Sequence, residues 1–362
     1  MEFGIWNLEF EFWILDFEFW NFLKLTPLMA SIDENNVLEI LGKRIPPGKG
    51  TTINFNMAKL YTSNSVDVPI IIERSRKPGP VILITAGIHG DEINGVEVVR
   101  QLIAKEINKP ARGTIICIPI INIFGFLSMN RDFPDGRDLN RVFPGTKNGS
   151  LASRFAYQFV QKILPVADFC LDFHTGGASR FNAAQIRIKK GENNALHYAK
   201  IFNAPFTILS KTITKSYRET CYRLGKPVLL FEGGKSKDSN KTIAKHGVDG
   251  VMRILDHFEM LRPKFEVPET TSESVLIEYS SWIRAKYSGL LHIKIPCGKH
   301  VEKGEYIATI TDPYGKLRHR VKAPNEGYII NVNESPIVYQ GDAIFHLSIP
   351  QKNYDEEAMT HE

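Results

Sequence analysis

The chain has 362 residues, of which 43% are hydrophobic, so it can bury a sizeable core and is long enough for two domains. These values exclude a disordered or fibrous protein. The net charge of +5 is spread along the chain rather than gathered into runs, which argues against a nucleic-acid-binding arm or a polybasic membrane patch. We therefore expect a small-molecule partner, with no nucleic acid and no membrane.

The four cysteines lie far apart in the sequence, and three of them have apolar, strand-like surroundings. Such cysteines behave as small hydrophobic residues. We predict a cytoplasmic protein without disulfides. The sequence leaves homo-oligomerisation open.

Residues 1–28, which begin MEFGIWNLEFEFW, repeat aromatic and acidic residues in a pattern that the rest of the chain lacks. A signal peptide would start with basic residues, and a membrane span would need about 20 predominantly apolar ones. We expect this segment to lie outside the fold, with Met29 as the first residue of ordinary sequence. An interfacial anchor is the alternative, disfavoured because its polar face would be acidic and repelled by anionic lipid.

Apolar runs typical of buried strands alternate with segments of helical periodicity in the middle of the chain. The predicted strands are residues 81–85, 113–121, 169–173 and 227–231, and the predicted helices are residues 95–105, 150–164, 195–201 and 248–258. Such alternation predicts an α/β layer architecture with a mostly parallel sheet.

Polar residues follow each predicted strand. His89 and Glu92 come after the first, Asn122 after the second, His174 after the third and Glu232 after the fourth. Because ligands bind beyond the carboxyl ends of the strands in open α/β sheets, we expect the functional site there.

Three of these residues suit a metal ion. A catalytic zinc takes three histidine or carboxylate ligands and keeps one position for water, and His89, Glu92 and His174 supply that set. The glycines that let the first loop pass close to an ion are Gly87, Gly90 and Gly95. Co²⁺, Mn²⁺ or Fe²⁺ would fit the same ligands, and polar loop residues without a metal are the alternative.

The segment NRDFPDGRDLNRVFPG carries Arg131, Arg137 and Arg141 in a loop rich in Gly and Pro, with Asn140 beside the last. Guanidinium groups bind carboxylates bidentately, so this loop near a metal would bind an anionic substrate or polarise its carbonyl. Taken alone, the segment is more typical of a surface loop with solvated arginines.

The C-terminal part differs in character. Residues 263–274 form a linker rich in Pro, Glu and Ser, residues 275–350 show short strands with regular glycine turns, and residues 351–362 form a tail. The pattern resembles the barrel-sandwich hybrid of biotinyl and lipoyl domains. No prosthetic lysine motif stands at a hairpin tip, since Lys316 is offset, and we predict an unmodified all-β structural domain.

Taken in order, these motifs resemble a known family. H-x-x-E, then D-x-N-R, a histidine at a strand end and E-G-G after another strand resemble the zinc carboxypeptidase superfamily, and their compact spacing is similar to its succinylglutamate desuccinylase/aspartoacylase branch. The resemblance implies a three-layer α/β catalytic domain at residues 29–262, with a mixed sheet and helices on both faces. In this branch a C-terminal β domain restricts access to the zinc cleft.

The resemblance implies a metal site. His89, Glu92 and His174 would hold one Zn²⁺ per subunit. Asp138, the first residue of D-x-N-R, would orient a zinc-binding histidine and fix its tautomer.

It also implies roles in substrate binding. Asn140 and Arg141 would bind the substrate carboxylate, and Arg131 would polarise the scissile carbonyl, with Arg137 as a competitor for that role. Arg218, with Tyr217 beside it, lies where relatives carry further substrate contacts, although helix-surface residues would show the same pattern.

Glu232 matches the family's catalytic glutamate, which accepts a proton from a zinc-activated water. The alternative is a structural carboxylate paired with a lysine such as Lys235.

We therefore predict a zinc-dependent deacylase that hydrolyses an N-acylated amino acid or a similar small carboxylate-bearing amide. A metallocarboxypeptidase acting on peptide C-termini is the alternative, because it would use the same catalytic residues. A third hypothesis is a non-enzymatic module, either a silent zinc fold or a carrier using Lys316. The acyl group and the amine are not readable from the sequence.

Overall fold

The computed structural model of the chain describes residues 38–59 and 65–350. The predictions for residues 1–28 and for the tail at residues 351–362 concern residues outside that description. Within the described ranges, no helix is long and apolar enough to cross a membrane. All four cysteines fall in the described part and are free thiols, as predicted.

Five strands open the described part of the chain, and helices are interspersed with strands from there to residue 257. The strands are β1 (Leu38–Ile40), β2 (Lys43–Ile45), β3 (Gly50–Lys59), β4 (Ser65–Arg74), β5 (Val81–Ala86), β6 (Thr114–Ile118), β7 (Phe169–Gly176), β8 (Arg180–Ile188), β9 (Phe206–Leu209) and β10 (Val228–Lys235). The helices are α1 (Ile93–Ala104), α2 (Ile123–Leu127), α3 (Leu151–Lys162), α4 (Asn193–Phe202), α5 (Tyr217–Arg223) and α6 (Lys241–His257), with short 3₁₀ helices at Leu139–Arg141 and Leu164–Val166.

The C-terminal region contains strands only. They are β11 (Val275–Ile277), β12 (Tyr279–Arg284), β13 (Gly289–Ile293), β14 (His300–Val301), β15 (Tyr306–Thr311), β16 (Arg318–Lys322), β17 (Gly327–Asn333), β18 (Ile337–Val338) and β19 (Ala343–Ile349).

The large sheet formed by the described residues is mixed. Its main path runs β12-β19-β17-β8-β10-β7-β5-β6-β4-β3. The four strands β10, β7, β5 and β6 are parallel, whereas β8 and β4 join this centre in antiparallel fashion. Strand β9 also pairs in parallel with β8 and with β11. The expectation of a mostly parallel sheet therefore holds for the centre, where helical crossovers link the strands, and for these two pairs, whereas the other strand pairs of the sheet are antiparallel.

Helices cover both faces of this sheet. Because side chains of a strand alternate between faces, Leu83 of β5 packs in one core, and its neighbours Ile82 and Ile84 pack in the other. Helix α3 covers the first core, and α1, α4 and α6 cover the second. The three-layer α/β fold with a C-terminal β region is thus confirmed.

The C-terminal region continues the large sheet. Its strand β17 pairs with β8, and its strand β11 pairs with β9, while β16, β15, β13 and β18 form a separate small sheet. The apolar residues between the two sheets form their own core, which includes Ile307, Ile310, Phe345 and Leu347. The predicted linker at residues 263–274 therefore does not interrupt hydrogen bonding between the two regions.

Two central strands run further than the sequence pattern predicts. Strand β7 extends to Gly176 and β10 to Lys235, so His174 and Glu232 lie within the strands rather than after them. Helix α6 begins earlier than predicted because Asn240 caps it: its side-chain oxygen accepts from two backbone N–H groups, those of Thr242 and Ile243.

We expect Gly95→Ala to destabilise the protein. Alanine in a helix normally improves stability by about 1 kcal/mol relative to glycine. At Gly95 of α1, however, a Cβ would lie 2.8 Å from the carbonyl oxygen of Phe173 in β7, and neither backbone can yield. Overpacking of this kind costs about 1–3 kcal/mol, so the free energy of unfolding in urea is expected to fall.

Gly177→Ala is the matched control, since the nearest atom to its Cβ would be 4.0 Å away. A Gly95→Ala variant that unfolds at the same or higher urea concentration than the wild type would contradict the close packing of α1 on β7.

Candidate active site

The predicted functional residues meet at the carboxyl edge of the parallel strands. His174 of β7 and Glu232 of β10 are direct register partners in adjacent strands. His89 and Glu92 lie in the loop between β5 and α1. All four line one cavity of about 530 Å³.

Three of these side chains form a group that could hold a metal ion. One ligand atom from each of His89, Glu92 and His174 lies within 4.8 Å of the others. His89 Nδ1 faces Glu92 Oε1 at 2.7 Å, and His174 Nδ1 faces Glu92 Oε2 at 3.0 Å. All three residues are buried, so their donor atoms are turned to one another rather than to bulk water.

A carboxylate holds the outer nitrogen of each imidazole. His89 Nε2 donates to Asp138 Oδ1 at 3.1 Å, and His174 Nε2 donates to Asp172 Oδ2 at 2.7 Å. This arrangement keeps the proton of a neutral imidazole on Nε2, so that a metal bound at Nδ1 would replace the proton that Nδ1 otherwise shares with Glu92. The donor set therefore fits a divalent cation of the zinc type.

Asp172 was not identified in the sequence analysis as a residue that orients His174. It is fully buried in the middle of β7, and Thr85 donates to its second oxygen at 2.8 Å. The signal was present: a charged residue inside an apolar strand, two positions before His174, lies on the same face as that histidine.

The electrostatics keep Glu92 ionised. Burial would raise the pKa of Glu92, but the facing imidazoles of His89 and His174 outweigh it and hold this pKa well below its usual range. Burial likewise would lower the pKa of His174, and the carboxylates of Asp172 and Glu92 instead raise it well above its usual value. Excess negative charge thus surrounds the imidazoles, which favours a cation at this position.

Close backbone contact shapes the loop that carries His89 and Glu92. A Cβ on Gly90 would lie 1.8 Å from the carbonyl carbon of Gly125 in α2, so only glycine fits. Asn122 caps α2 by accepting from Gly125 N, and its amide donates to backbone oxygens of the arginine loop. Asn122 therefore holds loops in place and does not line the cavity.

Arg131 is anchored beside the metal-binding group. Its Nε and Nη2 donate to Asp138 Oδ2 at 3.1 and 2.9 Å, and its Nη1 lies 3.4 Å from Glu92 Oε1. Asn140 and Arg141 line the same cavity. Asn140 Oδ1 accepts from Tyr217 N at 2.8 Å, which leaves its amide hydrogens for another partner.

Two predicted substrate contacts need correction. Arg137 is exposed and does not line the cavity, because the turn at residues 133–137 directs it outward, so the geometry favours Arg131 for the carbonyl. Tyr217 is fully buried and packs against Phe143 and Phe159, away from the cavity.

Arg218 does reach the cavity, where it also fixes the local backbone. Its guanidinium donates to the carbonyl oxygens of Arg187 and Lys211 and to the hydroxyl of Ser210. These bonds tie the end of β8 to the loop that follows β9.

Glu232 is held by neighbours that the sequence did not suggest. Asn182 Nδ2 donates to Glu232 Oε2 at 2.7 Å, and Arg187 Nε lies 3.2 Å from the same oxygen. Lys235 instead pairs with Glu334 at 2.7 Å, so the alternative pairing of Glu232 with this lysine is wrong.

The cavity is strongly basic. Apart from Glu92 and Glu232 its charged lining residues are all cationic, namely Arg131, Arg141, Arg180, Arg187, Lys211 and Arg218. The C-terminal region contributes Trp282 and Asn331 to the wall. Trp282 stacks on His346 at 4.3 Å, and burial and the nearby Arg187 lower the pKa of His346 to about 3, so this imidazole is neutral.

A family model and a curated relative match this chain. The family model of the succinylglutamate desuccinylase/aspartoacylase catalytic domain matches residues 78–258, half of the chain. An N-alpha-acetyl-L-2,4-diaminobutyric acid deacetylase from Halomonas elongata is 28% identical over 296 residues, covering 75% of this chain and 85% of that protein.

Two solved structures share the fold. The product-bound ectoine utilization protein from Ruegeria pomeroyi has a TM-score of 0.72 at 23% identity and covers 84% of this chain and 98% of its own. A succinylglutamate desuccinylase/aspartoacylase from Rhodobacter sphaeroides also has a TM-score of 0.72 at 23% identity, covering 88% of this chain and 99% of its own.

We expect Asp172→Asn to weaken metal binding by about 10- to 100-fold. The change keeps the side-chain volume but replaces the carboxylate that accepts from His174 Nε2 with a neutral amide. The measurement is Zn²⁺ affinity by competition with a chromophoric chelator, with circular dichroism to verify folding. Asp249→Asn on the outer side of α6, where the carboxylate pairs with Lys245, is the control. Unchanged affinity in Asp172→Asn would contradict the orienting role.

Proposed function

The chain belongs to the succinylglutamate desuccinylase/aspartoacylase family, and from this premise we propose that it is a zinc-dependent deacylase acting on N-acylated amino acids or similar small carboxylate-bearing amides. One observation supports the proposal: Glu232 is the strand neighbour of His174, and its carboxylate lines the same cavity as the group that could hold a metal ion.

His89, Glu92 and His174 would hold the metal. Two imidazoles and one carboxylate, each imidazole backed by a second carboxylate, are a donor set typical of catalytic zinc. A bound Zn²⁺ supplies Lewis acidity that makes water nucleophilic near neutral pH and polarises a carbonyl.

Glu232 would accept the proton of the attacking water and pass it to the leaving amine. Its Oε2 atom accepts a hydrogen bond from Asn182 and forms an ion pair with Arg187. The other oxygen accepts no hydrogen bond from the described residues and is left for the water. A base held in this way needs little reorganisation when the amide is cleaved.

Arg131 would stabilise the charge that develops on the carbonyl oxygen. Its guanidinium is fixed by Asp138 beside Glu92, so its charge is oriented before the substrate arrives. Asn140 and Arg141 would bind the substrate carboxylate, since both line the cavity and Arg141 keeps much of its guanidinium exposed.

The cavity wall favours a small substrate. Trp282 and Asn331 of the C-terminal region line it together with residues of the arginine loop, so the cavity is bounded by both regions of the chain. The Halomonas relative carries the name of a deacetylase of an acylated diamino acid, which supports the same class of reaction. A metallocarboxypeptidase would instead need space for a peptide.

The proposed activity is tested with a panel of N-acetyl, N-succinyl and N-formyl amino acids beside peptides with free C-termini. We expect amine release from members of the acyl panel and little cleavage of peptides. Treatment with a chelator should abolish the release, and added Zn²⁺ should restore it. Cleavage of peptides alone would favour the carboxypeptidase, and activity that survives complete metal removal would refute the zinc-dependent mechanism.

We expect Glu232→Gln to lower kcat by about 10²- to 10⁴-fold while Zn²⁺ affinity stays close to that of the wild type. Glutamine keeps the shape of the side chain but cannot accept a proton. Glu334→Gln is the control, because it removes a carboxylate that pairs with Lys235 outside the cavity. A Glu232→Gln variant with full activity would exclude this residue as the base.

A further inference from the structure

A row of cross-strand neighbours leads from the C-terminal region to Glu232. Trp282 of β12 lies opposite His346 of β19, His346 lies opposite Asn331 of β17, and Asn331 lies opposite Asn182 of β8. Directly opposed residues of antiparallel strands share a face of the sheet. The row therefore lies on the cavity side and ends at the amide that contacts Glu232.

Hydrogen bonds settle the orientation of that amide. Asn331 Nδ2 donates to Asn182 Oδ1 at 2.6 Å, and Asn182 Nδ2 donates to Glu232 Oε2 at 2.7 Å. Both asparagines are only 3% exposed. Because a donor meets the carbonyl end of Asn182, its NH₂ group must face Glu232.

Two backbone irregularities occur where these side chains meet. The register of β17 against β19 shifts between Ile329 and Asn331, and the register of β10 against β8 shifts between Glu232 and Gly234. Such irregularities redirect side chains and are common next to active sites. They lie where Asn331 of β17 meets Asn182 of β8 and where Asn182 meets Glu232 of β10.

A contribution to stability does not by itself explain why an asparagine is buried at position 331. Its Oδ1 atom is buried and has no hydrogen-bond partner among the described residues, a state that proteins usually avoid. The strand is otherwise firmly attached beside it, because Glu334 N donates to Ser179 O and Glu334 pairs with Lys235 at the end of β10. The amide of Asn331 thus adds a specific contact where the backbone is already held.

We propose that Asn331 is a positioning residue for Glu232: through Asn182, the C-terminal β region sets the orientation of the carboxylate that accepts the proton. The inference rests on the proposed role of Glu232 in amide hydrolysis. It assigns the C-terminal region a part in the chemical step, in addition to forming a wall of the cavity.

The test compares four variants of the full-length metal-loaded protein: Asn331→Leu, Asn331→Asp, Asn182→Ala and the double variant Asn182→Ala/Asn331→Leu. Leucine keeps the branched shape of Asn331, with the same number of non-hydrogen atoms, and removes the donor. Aspartate presents an acceptor to Asn182, which should turn its NH₂ group away from Glu232. Asn325→Ala is the control, since Asn325 donates its amide to Ser348 O between strands of the same region but outside the cavity.

We expect Asn331→Leu to lower kcat by roughly ten- to hundredfold with little change in KM, and Asn331→Asp to lower it further. The double variant should be no slower than Asn182→Ala alone, because both changes break one chain of contacts. Losses that multiply in the double variant, or a normal kcat in Asn331→Leu, would overturn the proposal.

Crystal structures of Asn331→Leu and Asn182→Ala provide a readout that needs no activity. We expect Glu232 to lose its wild-type side-chain position in both variants, while Asn325→Ala leaves it in place. An unchanged Glu232 would overturn the positioning role even if the wild type showed no deacylase activity. Absence of wild-type activity would instead refute the proposed function, so the two failures are distinguishable.

Discussion

The site depends on a carboxylate that is almost completely removed from water. Glu92 is 1% exposed, and burying an unpaired charge of this kind costs several kcal/mol. The cost is offset because His89 and His174 face its two oxygens, with further support from Arg131 Nη1 and from the backbone N–H of Thr175. Each imidazole in turn requires an acceptor on its outer nitrogen, which Asp138 and Asp172 provide. The buried group is therefore stable as a set, and its excess of carboxylates over imidazoles suits a divalent cation.

A second constraint is the register of two parallel strands. Strands β7 and β10 pair so that Glu232 lies beside His174, although the two residues are far apart in the sequence. The pairing is specified by apolar residues buried on both faces of β7 and β10: Cys170 and Val228 pack in one core, and Leu171 and Leu229 pack in the other. A shift of one residue would turn Glu232 to the opposite face of the sheet. Packing in the core thus determines the geometry of the proposed chemistry.

The outcome for individual residues shows where sequence patterns have predictive value. His89 and Glu92 could be paired from sequence because a tight glycine-framed loop keeps residues three apart close together. Arg137 and Tyr217 were misjudged because neighbours of a functional residue in sequence can point in another direction, outward from a turn or inward from a short helix. Asp172 is recognisable in the sequence as a charged residue within an apolar strand, but its spacing alone does not identify His174 as its partner.

The amino-acid sequence by itself determined the central strands and helices and the residue types of the group that could hold a metal ion, because these depend on local periodicity and short-range spacing. Only the tertiary structure decided that Asn182 and Arg187 hold Glu232, that Lys235 pairs elsewhere, and that Asn331 reaches the cavity. These contacts join strands that are distant in sequence, because β8 pairs in antiparallel fashion with β10 on one side and with β17 on the other. Their register follows from packing of the whole sheet and leaves no signature in any single segment.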